Sequence, residues 1–156
     1  MRVRVVMAFI LAVGSAACSS DDSTDGDNTP VKASNGLGSD QEKCVDIINQ
    51  YRAKKGLPPF ARWTDQETCS NGEAESDAKS GKGHGSFPRC GEMAQNECPN
   101  FGGSISDGLP KCLAAMWAEG PGGGHYENMA STKFTKVACG VYAVSSDKFW
   151  SVQNFR

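Results

Sequence analysis

Only two histidines occur in the chain, and each is set among glycines, as Gly83-His84-Gly85 and Gly124-His125-Tyr126. Glycine at such points permits unusual backbone angles and leaves the imidazole edge uncovered, which suits a ligand or catalytic group in a cleft. Two glutamates stand apart by context. Glu92 follows Cys90-Gly91 and precedes Met93-Ala94, and Glu119 comes just before the run Gly120-Pro121-Gly122-Gly123-Gly124 that leads to His125. Two imidazoles plus a carboxylate are the donor set of an open zinc site, and a second carboxylate can act as a base on bound water. No local motif joins the two histidines, so the competing reading is two solvated loop histidines and two solvated glutamates.

If these residues meet, the elements between them must bring them together. Cys44, Ile47, Ile48 and Tyr51 recur at helical spacing, and Gly56-Leu57-Pro58-Pro59 stops that helix. A second helix is expected from Asp65 to Lys79, with Glu67, Glu73 and Glu75 on a solvated side. The clearest stripe is Leu109, Cys112, Leu113, Met116 and Trp117, on a helix opened by Pro110 and closed by Gly120 and Pro121. Glu119 then ends this helix. Alternation from Val137 to Val144, a turn at Ser145-Ser146-Asp147-Lys148, and the run Phe149 to Phe155 read as an antiparallel hairpin. Helices come mainly first and paired strands last, so the class is α+β, a small antiparallel sheet covered by helices. Phe101, Trp117, Tyr126, Phe134, Tyr142, Phe149 and Trp150 are read as core packing rather than a lipid-binding wall, with Tyr126 the expected exception.

Of the 156 residues, 16 are basic and 18 acidic, for a formal charge of -2. No basic block is present to neutralise a run of phosphates, so nucleic acid is disfavoured as a partner. Residues 1–17 have the order of a signal peptide: Arg2 and Arg4, an apolar run from Val5 to Val13, then Gly14, Ser15, Ala16 and Ala17. The apolar run is shorter than the roughly 20 residues a membrane-spanning helix needs. Small residues before Cys18 suit lipidation of that cysteine and anchoring to a bacterial membrane; ordinary cleavage and secretion is the alternative. Residues 18–39, rich in Ser, Asp, Gly, Asn and Thr, read as a flexible tether, and one domain is expected over 40–156. Setting Cys18 aside leaves Cys44, Cys69, Cys90, Cys98, Cys112 and Cys139, an even number suited to three disulfides in an oxidising compartment. Cys90 and Cys98 can close a local bridge across the Gly-Glu loop, but spacing alone does not choose among the pairings.

Several segments in order resemble the CAP superfamily, the cysteine-rich secretory protein, antigen 5 and pathogenesis-related group, also called the SCP/TAPS domain. The stretch Asn49-Gln50-Tyr51-Arg52-Ala53-Lys54-Lys55-Gly56-Leu57-Pro58-Pro59 followed by Trp63 resembles the opening CAP helix and its turn. His84 with Gly91-Glu92, Trp117-Ala118-Glu119, Gly124-His125-Tyr126, Val137-Ala138-Cys139-Gly140 and Gln153-Asn154-Phe155 resemble later family segments. Met93, Asn128, Ser131 and Gln153 depart from the family pattern, and the Trp-to-Glu spacing is one residue short. The resemblance implies an α-β-α sandwich with a cleft of His84, Glu92, Glu119 and His125, in which the histidines bind zinc or a related divalent ion.

Three functions compete. One is an envelope binding module for a lipid, glycan or protein ligand, with the metal structural or regulatory. Another is a zinc-assisted hydrolase with Glu92 or Glu119 as base. The last is a purely structural lipoprotein. The sequence holds no Gly-x-Ser-x-Gly, and none of the six domain cysteines reads as a free nucleophile, which favours the first.

Overall fold

The computed structural model describes residues 39–156; the signal peptide, Cys18 and the tether before Ser39 lie outside the described residues. Four helices and a four-stranded sheet make up this part. Helix α1 spans Asp40–Lys54, strand β1 Ala61–Arg62, and α2 Glu67–Ser80 after a short 3-10 turn at Thr64–Gln66. Strand β2 spans Ala94–Gly102, α3 Ile105–Ala118, α4 Gly124–Ala130, β3 Lys136–Ser145 and β4 Lys148–Phe155. The order in the sheet is β1-β3-β4-β2. The expected hairpin is present as β3–β4, and β2 pairs antiparallel with β4. The sheet is mixed rather than wholly antiparallel, because β1 runs parallel to β3.

Local chemistry sets the helix ends. Ser39 caps α1 by accepting from the Glu42 amide, and Ser104 caps α3 by accepting from the Asp107 amide. That second cap starts α3 well before Pro110, which therefore lies inside the helix instead of opening it. Cys44, Ile47, Ile48 and Tyr51 are all fully buried, as their spacing predicts.

Alternation along the strands divides the molecule into layers. Val137, Cys139, Phe149 and Phe155 join Ile47, Ile48, Tyr51, Leu113, Met116 and Trp117 in the main apolar cluster, on the side of α1 and α3. Helix α2 covers the other side, where the apolar cluster is only Ala74, Trp150 and Val152 with Ala78 and Tyr142 beside it. Its buried stripe is Ser70, Glu73, Ala74 and Asp77. Glu73, expected on a solvated side with Glu67 and Glu75, is thus fully buried, because the stripe that faces the sheet is itself polar. Close approach of α2 to the sheet requires Gly140, where a Cβ would overlap the Ser70 backbone.

Three disulfides join Cys44 to Cys139, Cys69 to Cys90, and Cys98 to Cys112. The local Cys90–Cys98 bridge does not form. Cys98 lies on the face of β2 turned to α3, whereas Cys90 is drawn to α2. Tyr126, the expected exception among the aromatics, also joins the core: its ring centroid lies 4.7 Å from that of Trp117.

Candidate functional site

A cleft of about 460 Å³ opens at the edge strand β2, lined by His84, Gln95, Asn96, Glu119, Gly124, His125, Glu127 and Asn128. Gln95 and Asn96 are consecutive on β2 and so point to opposite faces of the sheet. Gln95 bonds into the α2 layer and Asn96 into the α3–α4 layer. The cleft therefore draws one wall from each layer, and two histidines distant in sequence face a common space.

His84 sits on the loop after α2 with a left-handed backbone, φ +56°. Its Nδ1 lies 2.9 Å from Gln95 Oε1. The Gln95 amide nitrogen donates to Asn154 Oδ1 at 2.9 Å and Glu73 Oε2 at 3.2 Å, two acceptors, which fixes the oxygen end toward the imidazole. Nδ1 of His84 is then the donor, and Nε2 has no hydrogen-bond partner among the described residues.

His125 is in the first turn of α4 and is held by Glu119, which follows the last residue of α3. Glu119 Oε2 accepts from the His125 backbone amide at 3.1 Å, and Oε1 bonds its ring Nδ1. Partial burial pushes the Glu119 carboxyl up, but the hydrogen bonds and charge of His125 outweigh it and hold the group below the usual glutamate value. The turn between them needs glycine at 123, where a Cβ would run into the Glu119 side chain. Asn96 donates to the His125 carbonyl at 3.0 Å, and Asn128 donates to Asn96 at 2.8 Å, so α4 is tied to β2. Both histidines thus have Nδ1 engaged by an oxygen acceptor, and neither Nε2 has a hydrogen-bond partner among the described residues.

The structure brings together His84, Glu119 and His125 but not Glu92. That residue is buried before the start of β2, beside Glu73 and Cys90, whose potential ligand atoms all lie within 4.8 Å of one another. The Cys90 sulfur is committed to Cys69, so this group offers two carboxyls and no thiolate. A second buried acid pair, Asp77 and Glu97, lies one helical turn further along α2. Glu97 accepts from Trp150 Nε1 at 3.1 Å and approaches His84 Nδ1 to 3.9 Å. Burial, then the Asp77 carboxyl beside it, pushes Glu97 up to about 8.

Gln95 and Asn96, which position the histidines, were not legible as site residues, because apolar periodicity gives no signal for a buried amide. The helical recurrence of Ser70, Glu73, Ala74 and Asp77 was the available sign that α2 turns a polar stripe inward.

Residues 45–155 match the Cysteine-rich secretory protein family, CAP. Among solved structures, the fold is similar to an extracellular protein containing an SCP domain from Bacillus anthracis str. Ames, with a TM-score of 0.54 and 22% identity. That likeness covers 75% of this chain and 40% of the other, so the chain spans well under half of the relative's length. No curated protein compared with the chain matches it. With the family match covering most of the chain and the sandwich fold beneath it, the chain belongs to the cysteine-rich secretory protein family.

Proposed function

We propose that this is an exported, envelope-anchored binding module whose cleft takes a divalent metal, zinc in the first instance, through His84 and His125. One observation carries the metal reading: His84 and His125 line the same cleft, and each has Nδ1 tied to an oxygen acceptor, Gln95 or Glu119, with no hydrogen bond to Nε2 among the described residues. Such outer partners fix the tautomer and ring orientation of metal-binding histidines. Bound there, the ion would act as a Lewis acid toward a ligand oxygen. Glu127 and Asn128 would supply polar contacts beside it. The cleft lining has no aliphatic side chain, which favours a polar ligand, a glycan or a protein segment, over a lipid.

Binding is favoured over zinc-assisted hydrolysis by what the carboxylates do. Glu92 is not part of the cleft lining, and Glu119 has both oxygens engaged with His125, so it orients that ring instead of acting as a base. Export is supported by three disulfides, which persist in oxidising compartments, and by the relative described as extracellular. Anchoring through Cys18 rests on the small residues that precede it.

Zinc titration of the purified protein by calorimetry is expected to give about one equivalent, lost in His84→Ala and in His125→Ala with the fold retained. Absence of binding in the folded protein would overturn the metal. For the anchor, mass spectrometry is expected to find a diacylated Cys18 at the mature N-terminus, and an unmodified Cys18 there would overturn it.

A further inference from the structure

Next to Gln95 of the cleft wall, where the segment 81–93 returns against α2, two carboxyl groups lie within 4.8 Å of each other. Glu73 is fully buried and Glu92 is 5% exposed. Glu73 Oε2 is well supplied, accepting from Asn154 at 2.6 Å and from Gln95 at 3.2 Å. Glu73 Oε1 and both oxygens of Glu92 are buried and accept from no donor among the described residues. A buried carboxylate without donors is strongly disfavoured in its charged form.

The surrounding charges do not remedy this. From the returning segment, Arg89 attracts Glu73 from an exposed position. From the end of the chain beyond β4, Arg156 donates to the Gly91 carbonyl rather than to Glu92. From α2 and β2, Asp77 and Glu97 are themselves a carboxyl pair. The Cys69–Cys90 disulfide at the same spot does not titrate. A hard cation would need about six to eight oxygens, and only three here lack a donor. One proton between the two groups is the smallest change that removes one of the two buried charges and joins Glu92 to Glu73 Oε1.

We propose that Glu73 and Glu92 share a single proton and that this pair is a pH-sensitive latch holding the His84-bearing segment 81–93 against α2. The latch acts as follows. With the proton in place, one carboxyl donates to the other and the pair carries a single negative charge. Loss of that proton to solvent sets two anions against each other in a buried place. Burial first, and then the neighbouring Glu92, push Glu73 up to about 7, so release falls near neutral pH. The Cys69–Cys90 bridge keeps the segment attached, which confines the loosening to the loop on either side of it. This device does not depend on a metal at the histidines.

The test is a carboxyl-carbon NMR titration of the metal-free wild-type protein, with amide exchange of residues 82–93 followed from pH 5.5 to 8.5. The pair is expected to titrate in two separated steps, the upper one near neutral, and protection of the segment is expected to fall by about tenfold or more across that step after correction for intrinsic exchange. Glu92→Gln supplies a donor without a charge and is expected to remove the fall in protection near pH 7, leaving only the part that follows Glu97 near 8; Glu73→Gln serves the same purpose should that variant fail to fold. Titration of both carboxyls below pH 5, or protection in the wild type that does not change with pH, would overturn the proposal. So would calcium that restores protection of the wild type at pH 8.5 while binding at about one equivalent, with that equivalent lost in Glu92→Gln, since the pair would then be a cation site.

Discussion

Against one face of the sheet α1 and α3 press Ile47, Ile48, Tyr51, Leu113 and Trp117, while against the other α2 presses Ser70, Glu73 and Asp77. The apolar side is held by burial and shape, which are non-directional and insensitive to pH. The α2 side is held by directed bonds: Asn154 reaches Ser70 at 2.9 Å and Glu73 at 2.6 Å, and Gln95 links Glu73 to His84. Apolar packing supplies most of the stability, whereas the polar layer sets the orientation of one wall of the cleft. His125 belongs to the other wall, where Glu119 and Asn96 hold it from α3 and β2.

If this contrast is right, the largest loss should come from the apolar side. Trp117→Ala removes a ring packed between Tyr51 at 5.2 Å and Tyr126 at 4.7 Å, and is expected to lower the unfolding free energy by about 3–5 kcal/mol in urea denaturation. Replacing Cys44 and Cys139 together by serine opens a bridge of sequence separation 95 and should cost about 2–5 kcal/mol by the same measurement.

On the polar side, Glu73→Ala leaves the donors of Asn154 and Gln95 without their carboxylate and is expected to cost about 1–3 kcal/mol. A loss equal to that of Trp117→Ala would break the comparison. The pH dependence sharpens it further. Glu73 and Glu97 are raised in the folded protein to about 7 and about 8 from an ordinary 4.5, so the folded state holds protons that the unfolded state releases. Their contribution is full below 4.5 and is lost as pH rises through about 7 and then about 8. Stability measured from pH 5 to 8 should therefore fall. Glu97→Gln should flatten that slope, and Trp117→Ala should leave it unchanged.

The smallest effect on folding is expected at the cleft. Glu119→Gln alters a partly exposed contact and should change stability by less than about 1 kcal/mol. It should nonetheless weaken zinc binding by about 10–100-fold in calorimetry, because His125 loses the carboxylate that orients it.

By itself the sequence determined the apolar half of this protein. The spacing of Cys44, Ile47, Ile48 and Tyr51, the stripe from Leu109 to Trp117 and the closing hairpin were legible because each element declares its buried face locally, by the period at which it withdraws apolar groups from water. The two histidines were legible as candidates from their glycine settings, and Glu119 from its place beside His125. Tertiary structure alone decided that Cys90 pairs with Cys69, that Gln95 and not Glu92 serves His84, and that Glu73 is buried. A buried polar group is stabilised by its partner, not by its own transfer from water, and these partners lie far off in the chain: Asn154 meets Glu73 across 81 residues and Ser70 across 84. No local period records such a pairing; it exists only once β4 has been laid against α2.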